Sequence, residues 1–542
     1  MTGKLIAPSP SLGYSQFYLD YLAGRKPAVD FVVGDDLQTL ASRLDKQTYN
    51  RAAVCDILLN QNTQFGVDQA ALDSIRQLTS EKTLCVFAGQ QAGLFGGPLL
   101  VVVKALAIVK LAREFSQKLS RPVIPIFWIA GDDHDFDEIA STIVLSQQSE
   151  LVELKYGIRP SLELPASEIR LDNSEELARL LELLKASLGQ TDFTAELYAE
   201  LESSYKSGET FVGAFGKFMA RLTRGTGLAF FNPCDAQAKT LAVPLFERIV
   251  DEQPSIHQAL RTANESLQKD GYHLQVEKKE SSALLFRHRD GRKPVHVESG
   301  KFTIGGETVT PAELKVAIRA TPEQFSPDVM TRPLMQSTLF PVLCQIGGPA
   351  EVAYLAQCRP LFDILELPKP IHRGRPSLTL LEKRIEKLVD EYNLSFEEIT
   401  GDIEQAVNRV MLANFPKDLE AGYRLLTEDM SARWKQFADT SLAFDPSLAE
   451  FANQTYGKID YTLKNFEAKL FSAHKKKGKE IRERIHRVQH HLFPRRTLQE
   501  RTVNISCYLA RYGFSVVPFV LNQMSTDQNG HQLIALSEKS SL

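Results

Sequence analysis

Two short apolar runs separated by one long helical segment set the first constraint on this chain. Residues 84–89 read LCVFAG and residues 123–131 read VIPIFWIAG. Runs of that length without polar alternation are strands buried on both faces. Between them, QQAGLFGG (90–97) is a glycine-rich loop, and Pro98 opens the helical segment LLVVVKALAIVKLAREFSQKL (99–119). Proline suits a first helical turn because its missing N–H would be unpaired there anyway. A strand, a crossover helix and a strand within about 50 residues imply a parallel pair with a right-handed connection.

Further runs extend this α/β pattern. GLAFFNP (227–233) and LFPVLCQI (339–346) are two more short strands, the second running into Gly-Gly-Pro and the helical AEVAYLAQ. The stretch near 150–225 is mostly helical, with EELARLLELLKASL the clearest case. Residues 273–310 alternate and carry turn signals, RDGR and Gly-Gly, which predicts a small antiparallel β insertion. After Arg375 the character changes. Leu381, Ile385, Leu388 and Tyr392 step by helical spacings, as do Ile459, Leu463, Phe466, Leu470 and Ala473, and then Ile481, Ile485, Val488 and Leu492. Such stepping is a heptad seam. It predicts an antiparallel coiled-coil arm over 377–492, interrupted at Lys475-Lys476-Lys477-Gly478. The core is expected over 1–376, with 493–542 (FSVVPFVL among its apolar runs) rejoining it. At 542 residues the chain exceeds what one compact core usually holds, so more than one unit is expected.

Charge and cysteine usage exclude several classes. Sixty-three basic residues against 67 acidic ones give a net charge of -4. That exerts no global pull on nucleic acid or anionic membrane, and neither partner is expected. The six cysteines form no CxxC pair, against a zinc ribbon or a disulfide framework and in keeping with a reducing cytoplasm. The start, MTGKLIAPSPSLGYS, lacks the apolar core of a signal peptide. The most lipid-like run, 98–109, is too short to span a bilayer and contains Lys104.

Consecutive parallel strands emerge at one sheet edge, where open α/β folds bind ligands. The loops after Ala88 and Ala130 should therefore lie side by side. The first carries Gly89, Gly93, Gly96 and Gly97, feeds a helix N-terminus suited to an anion, and offers Gln90 and Gln91 as donors and acceptors. It is neither a Walker A motif nor GxGxxG, and a tight turn with no ligand is an equal reading. Gly347, Gly348, Pro349 and Glu351 repeat the arrangement, unless Glu351 is only a first-turn acid. The second loop packs Asp132, Asp133, His134 and Asp135 together. Helix capping, a metal site and a polar substrate site with His134 as acid or base all fit this knot. No HExxH or second histidine at ligand spacing supports the metal, and none is assigned. Arg332, Gln336, Tyr354 and Gln357 flank the second glycine turn and either line the crevice or pack; Arg373 and Arg375 stand at the neck of the arm. His273 reads as structural, the basic cluster at 474–487 as a wet helix face, and Cys344 as buried and inert.

The blocks AGQQAGLFGGP, PVIPIFWIAGDDHDFDEI, RPLMQSTLFPVLCQIGGPAEVAYLAQ and LFPRRTLQER together resemble the BshC cysteine-adding enzymes of bacillithiol biosynthesis, across essentially the whole chain. The resemblance implies a Rossmann-like core of class I aminoacyl-tRNA synthetase architecture with inserted connecting segments, and a coiled-coil arm that makes a homodimer. It implies a ligase that joins L-cysteine to glucosaminyl-malate through an amide. Carried onto this chain, Gln90, Gln91, Gly96, Gly97 and Pro98 become a nucleotide-side loop, and Asp133, His134 and Asp135 a second, catalytic wall. Gly347, Gly348, Pro349 and Glu351 become a third; Gly93, Arg332, Tyr354 and Arg375 join them as binding residues on the strength of their own positions beside these turns and the neck. The family pattern has Glu-Asp-His-Asp where this chain has Asp132-Asp133-His134-Asp135. A carboxylate and an ammonium do not condense in neutral water unaided, so ATP or another nucleotide is expected to activate cysteine, most simply as an acyl-adenylate, with Mg²⁺ as a companion. The alternatives are another nucleotide-dependent ligase or nucleotidyltransferase, and a dimeric nucleotide-binding scaffold without turnover.

Overall fold

The computed structural model of the chain describes residues 5–32, 34–289, 291–527 and 530–536. Strand β1 (Leu84–Gln90), helix α1 (Leu99–Leu119) and strand β2 (Val123–Ile129) form the expected parallel unit, in register from Leu84 opposite Val123 to Gln90 opposite Ile129. β3 (Ala229–Phe231), followed by α2 (Ala236–Asp251), joins the outer side of β2. β4 (Val342–Gly347), followed by α3 (Pro349–Cys358), joins the other side of β1, and β5 (Ile371–Gly374) lies outside β4. The order β5-β4-β1-β2-β3 is parallel throughout. The chain thus builds outward from β1 on one side, then returns to build on the other. The direction reverses between β1 and β4, which opens a crevice at their carboxyl ends.

Alternation along the strands feeds two cores. Val86, Ala88, Phe127 and Ile129 face one, and Cys85, Phe87, Ile126 and Trp128 the other. A sheet covered on both faces requires apolar residues at every position, hence the unbroken runs. Between β2 and β3 lie the short helix Phe136–Ile139, a hairpin, Ser141–Leu145 with Leu151–Lys155, and three longer helices, Ser174–Leu188, Thr194–Ser204 and Phe211–Leu222. Between β3 and β4 the expected β insertion is an antiparallel sheet of Ser282–His288, Arg292–Glu298, Lys301–Ile304 and Glu307–Val309, joined by Phe325–Pro327. Its RDGR turn includes Asp290, which lies outside the described residues.

The chain divides into two compact units, 1–382 with 494–542, and 383–493. Ser377–Glu382, read from sequence as the start of the arm, is instead a strand of the first unit, paired in parallel with His531–Leu536. Leu381 is therefore a strand residue and not a seam position. SLTLLE is buried at every position, and a run so short fits either period. Residues 528–529 and 537–542 of the C-terminal segment lie outside the described residues.

In the second unit, Lys383–Glu391 and Ile403–Ala413 pack on Lys479–Leu492, burying Ile385, Leu388, Val407, Ile485, Val488 and Leu492. The long hairpin is Lys417–Phe444 against Ala449–Lys477, each helix about 40–45 Å at 1.5 Å per residue. Trp434 stacks on Tyr456 across it, with centroids 6.3 Å apart. The partner of the 459–473 seam is thus 417–444 and not 381–392, and Gly478 breaks the run where the lysines predicted. Among the described residues no helix is long and apolar enough to cross a membrane.

Candidate active site

The crevice between β1 and β4 holds a cavity of about 450 Å³. That is within the usual range for small-molecule sites. Its floor is Lys104, one turn into α1 and 2% exposed. The ammonium donates to Gly89 O at 3.0 Å, Gln90 Oε1 at 2.8 Å and Glu351 Oε2 at 2.5 Å. Burial drives the Lys104 pKa down, against the pull of Glu351. Glu351 Oε2 also accepts the Gly348 N–H at 2.6 Å, so the first-turn acid of α3 ties both strand ends to one lysine. At Gly347 a Cβ would come 2.5 Å from Glu351 Cβ, which leaves room for glycine alone.

The lining carries acids. Asp133 Oδ2 accepts from Gln91 Nε2 at 2.9 Å, and its Oδ1 accepts the His134 N–H at 2.8 Å. Burial alone would raise the Asp133 pKa, but Arg332 and Arg292 outweigh it and hold the carboxyl below its ordinary value. Glu138, on the same lining, goes the other way: burial raises its pKa, with Gln91 partly offsetting. The lining also carries cations, Arg332, Arg375 and Arg501. Arg375 is committed to buried Glu500 at 2.7 Å. Arg332 Nε and Gln336 Oε1 are buried there without hydrogen-bond partners. Tyr354 lines the cavity too, its hydroxyl pKa raised by burial.

Several expected residues sit elsewhere. Gly93, Gly96 and Gly97 are buried and do not line the cavity, nor does Pro98. Gly96 N–H donates to Tyr205 Oη at 2.9 Å, and Tyr205 donates to Gly93 O at 3.2 Å. Asn504 Nδ2 reaches Phe95 O at 2.9 Å and Gly97 O at 2.7 Å, and Leu99 N–H donates to Val503 O at 2.8 Å. The loop's polar groups are satisfied inside the protein, so the phosphate cradle read from its glycines is not on the cavity. His134 lines no part of it either. Its Nδ1 lies 2.9 Å from Arg292 Nη1. A guanidinium can only donate, so Nδ1 is the acceptor in this contact. Asp135 caps the short helix Phe136–Ile139 through Glu138 N–H at 3.2 Å. Of the three readings of the knot, capping fits Asp135 and a polar site fits Asp133. Gln357 clamps Val276 and Asn264, Arg373 donates to Thr526 O, and His273 is exposed. Cys344 is buried, its thiol pushed up to about 12. Among the described residues no group of three or more His, Cys, Asp or Glu gathers at metal-binding spacing. Lys104, Glu138 and Arg501 were not singled out as site residues from sequence; the one available signal was a lysine inside a helix apolar on every side.

Two family models cover the chain. The Bacillithiol biosynthesis BshC, N-terminal Rossmann-like domain matches residues 6–375, and the C-terminal coiled-coil domain of the same family matches 378–536. A protein of Salinibacter ruber named "Putative cysteine ligase BshC" is 30% identical over 540 residues, 98% of each chain. One of that name from Koribacter versatilis is 33% identical over 520 residues, 94% of this chain and 96% of the other. A solved chain from Campylobacter jejuni described as an arginyl-tRNA synthetase aligns with 89% of this chain and 98% of its own at 9% identity, with a TM-score of 0.22, too low to carry any argument. With the parallel Rossmann-like sheet, the helical hairpin and matches along nearly its full length, the chain belongs to the BshC family of bacillithiol biosynthesis, whose curated members are named as cysteine ligases.

Proposed function

We propose that this chain joins the carboxyl group of L-cysteine to the amine of glucosaminyl-malate, in the cavity between β1 and β4. The observation that carries this reading is the mixed charge of its lining: Asp133 and Glu138 together with Arg332 and Arg501. A ligand carboxylate is held by the arginines, and an incoming amine meets the acids. Glu138, on the cavity lining with its pKa raised by desolvation, takes the proton released as the amine nitrogen bonds to the acyl carbon; the bond from that carbon to its activating oxygen breaks, and the activating group would leave with that electron pair. Asp133, kept ionised by its arginines, orients the neutral amine through its N–H groups before that transfer. This moves the base from His134, which Arg292 engages, to Glu138.

Amide formation needs an activated carboxyl group, and a nucleotide would supply it. The donors that fit its phosphates are Arg332 and Arg501, not the glycine loop. Any Mg²⁺ would arrive with those phosphates, since it keeps most of its own waters and needs few protein ligands. We place the enzyme in the cytoplasm as a homodimer through the arm, where Phe437, Phe451 and Phe466 are 65%, 70% and 59% exposed. A helical pair that leaves such rings in water has apolar surface to cover.

The test is a mass-spectrometric assay of purified protein with L-cysteine, glucosaminyl-malate, Mg²⁺ and ATP, beside a tube without ATP. Product only with ATP is expected. Product without ATP would discard the nucleotide. Ligand binding with no turnover in a folded protein would favour a scaffold.

A further inference from the structure

A second cavity, of about 810 Å³, lies beyond the carboxyl end of β3 and shares no lining residue with the first. Its lining comes from segments far apart in the chain: the 165–168 loop, the residues that lead from β3 into α2, and His288 at the end of its strand. Lys239, in the first turn of α2, lines it and is 1% exposed. Among the described residues its Nζ has no hydrogen-bond partner. An ammonium withdrawn from water without a counter-charge is costly, and the cost is relieved only by an anion or ordered water. The protein offers Asp132, whose charge reaches His288 and Cys234 as that of Lys239 does. Yet both Asp132 oxygens are themselves buried without partners, so the two groups do not meet.

The surroundings of Lys239 add to this demand. His288 Nδ1 is buried and unpartnered, while Nε2 lies 2.7 Å from Ser326 Oγ. Burial and the nearby Lys239 push the His288 pKa down to about 4, so the ring is neutral at neutral pH. With Ser326 donating to Nε2, Nδ1–H becomes a second donor into the cavity. Ser167 sets its hydroxyl beside the Cys234 thiol on the same lining. Around the mouth the sign reverses: Glu168, Asp235 and Glu323 line the cavity, and only Glu209 is neutralised, by Lys217. A cation at depth with acids outside suits a ligand of mixed charge and repels a phosphate dianion.

We infer that this cavity is a second ligand site, for a small molecule that carries both a carboxylate and an amine, with the carboxylate on Lys239 and the amine among Glu168, Asp235 and Glu323. Both proposed substrates have that chemistry, but the site is separate from the cavity assigned to bond formation, and its test is a binding measurement that does not depend on turnover.

The experiment is titration calorimetry of the full-length protein with L-cysteine and with glucosaminyl-malate, with succinate and inorganic phosphate as controls, on the wild type, Lys239→Met and Arg332→Met. At least one amino-carboxylate is expected to show a binding event that survives Arg332→Met and weakens about thirtyfold or more in Lys239→Met, the loss typical of removing one partner of a buried charge pair. Lys239→Met also removes an unpaired buried charge, so without ligand its melting temperature stays at or above that of the wild type. If Lys239→Met does not fold, the exposed pair Glu168→Gln with Glu323→Gln serves instead and weakens the same event several-fold. No Lys239-dependent event for either compound would overturn the site. Succinate or phosphate binding there as tightly as the amino-carboxylates would overturn its assigned chemistry.

Discussion

After β1 the chain passes Gly93, Gly96, Gly97 and Pro98 into a buried helix; after β4 it passes Gly347, Gly348 and Pro349 into another. Both turns sit at the carboxyl edge of adjacent strands, and both carry the glycines that suggest a ligand cradle. In the first, every polar group described is taken by the protein: Tyr205 and Asn504 hold the backbone from either side. In the second, Gly348, Pro349, Ala350 and Glu351 face the cavity, and Glu351 is ion-paired to Lys104 from the helix that the first turn launches. The first turn therefore serves the site by fixing where α1 begins, and so where Lys104 stands. Glycine spacing reports a tight turn. Whether the turn meets a ligand depends on which distant side chains fill the space above it.

If that division is right, substitutions on the cavity walls should abolish chemistry without unfolding, and substitutions behind the first turn should do the reverse. The largest effect is expected for Glu138→Gln, a fall in turnover of about 10²–10⁴-fold for loss of a general base. Because burial raises its pKa, wild-type kcat/KM should fall as pH drops through a value above the ordinary glutamate range, near 4.3, as the base takes up its proton. The glutamine variant should lose that acidic limb, and a pH–rate profile reads both. Arg332→Met comes next, with about 10²–10³-fold lost from kcat/KM if its guanidinium binds charge that the reaction develops. An unchanged urea midpoint in both variants would keep them apart from folding defects. Asn504→Ala inverts the pattern. It leaves the carbonyls of Phe95 and Gly97 unpaired in the interior, at a cost of roughly 2–4 kcal/mol in urea unfolding. The folded fraction should retain most of its activity. Loss of turnover without loss of stability would show that the first turn belongs to the site after all.

What could be read from sequence follows the same line. β1, β2, β4 and the helices after them were legible because burial on both sheet faces leaves an uninterrupted apolar signature. The crevice followed from topology, and with it Asp133, Gln90, Gln91, Gly348, Pro349 and Glu351, which line the cavity; Arg332 and Tyr354, flanking the second glycine turn, and Arg375, at the neck of the arm, line it too. Glu138 was hidden because it reads as one acid in a short capped helix, and only the fold sets it on the cavity lining. Arg501 and Glu500 come from a segment more than a hundred residues from Arg375, and nothing local marks their meeting. The helix at 417–444 has no buried residue, so its seam is too shallow to separate from a solvated helix. Lys104 is visible in the sequence, where it argues against a membrane span. A lysine amid VVVKALAI in a helix buried all round also requires a partner, and that partner is Glu351.

The finest test of the comparison sets one glycine of each turn against the other. Gly97 has φ 70° and ψ -164°, a region open to glycine and almost closed to other residues. A Cβ there would also stand 3.3 Å from Val101 Cγ2. Gly97→Ala should therefore cost about 1–3 kcal/mol of stability through backbone strain. Gly348 has φ -69° and ψ 176°, extended backbone that any residue adopts. Its Cβ would meet Glu351 Oε2 at 3.4 Å and Arg375 Nε at 3.8 Å, ordinary contacts at the cavity edge. Gly348→Ala should change stability by no more than about 0.5 kcal/mol, as surface substitutions usually do. Its effect should appear as a raised KM, because the new methyl projects into space that a ligand would share. Equal destabilisation by the two alanines would mean that both turns are held by backbone geometry alone, and the difference drawn between them would fall.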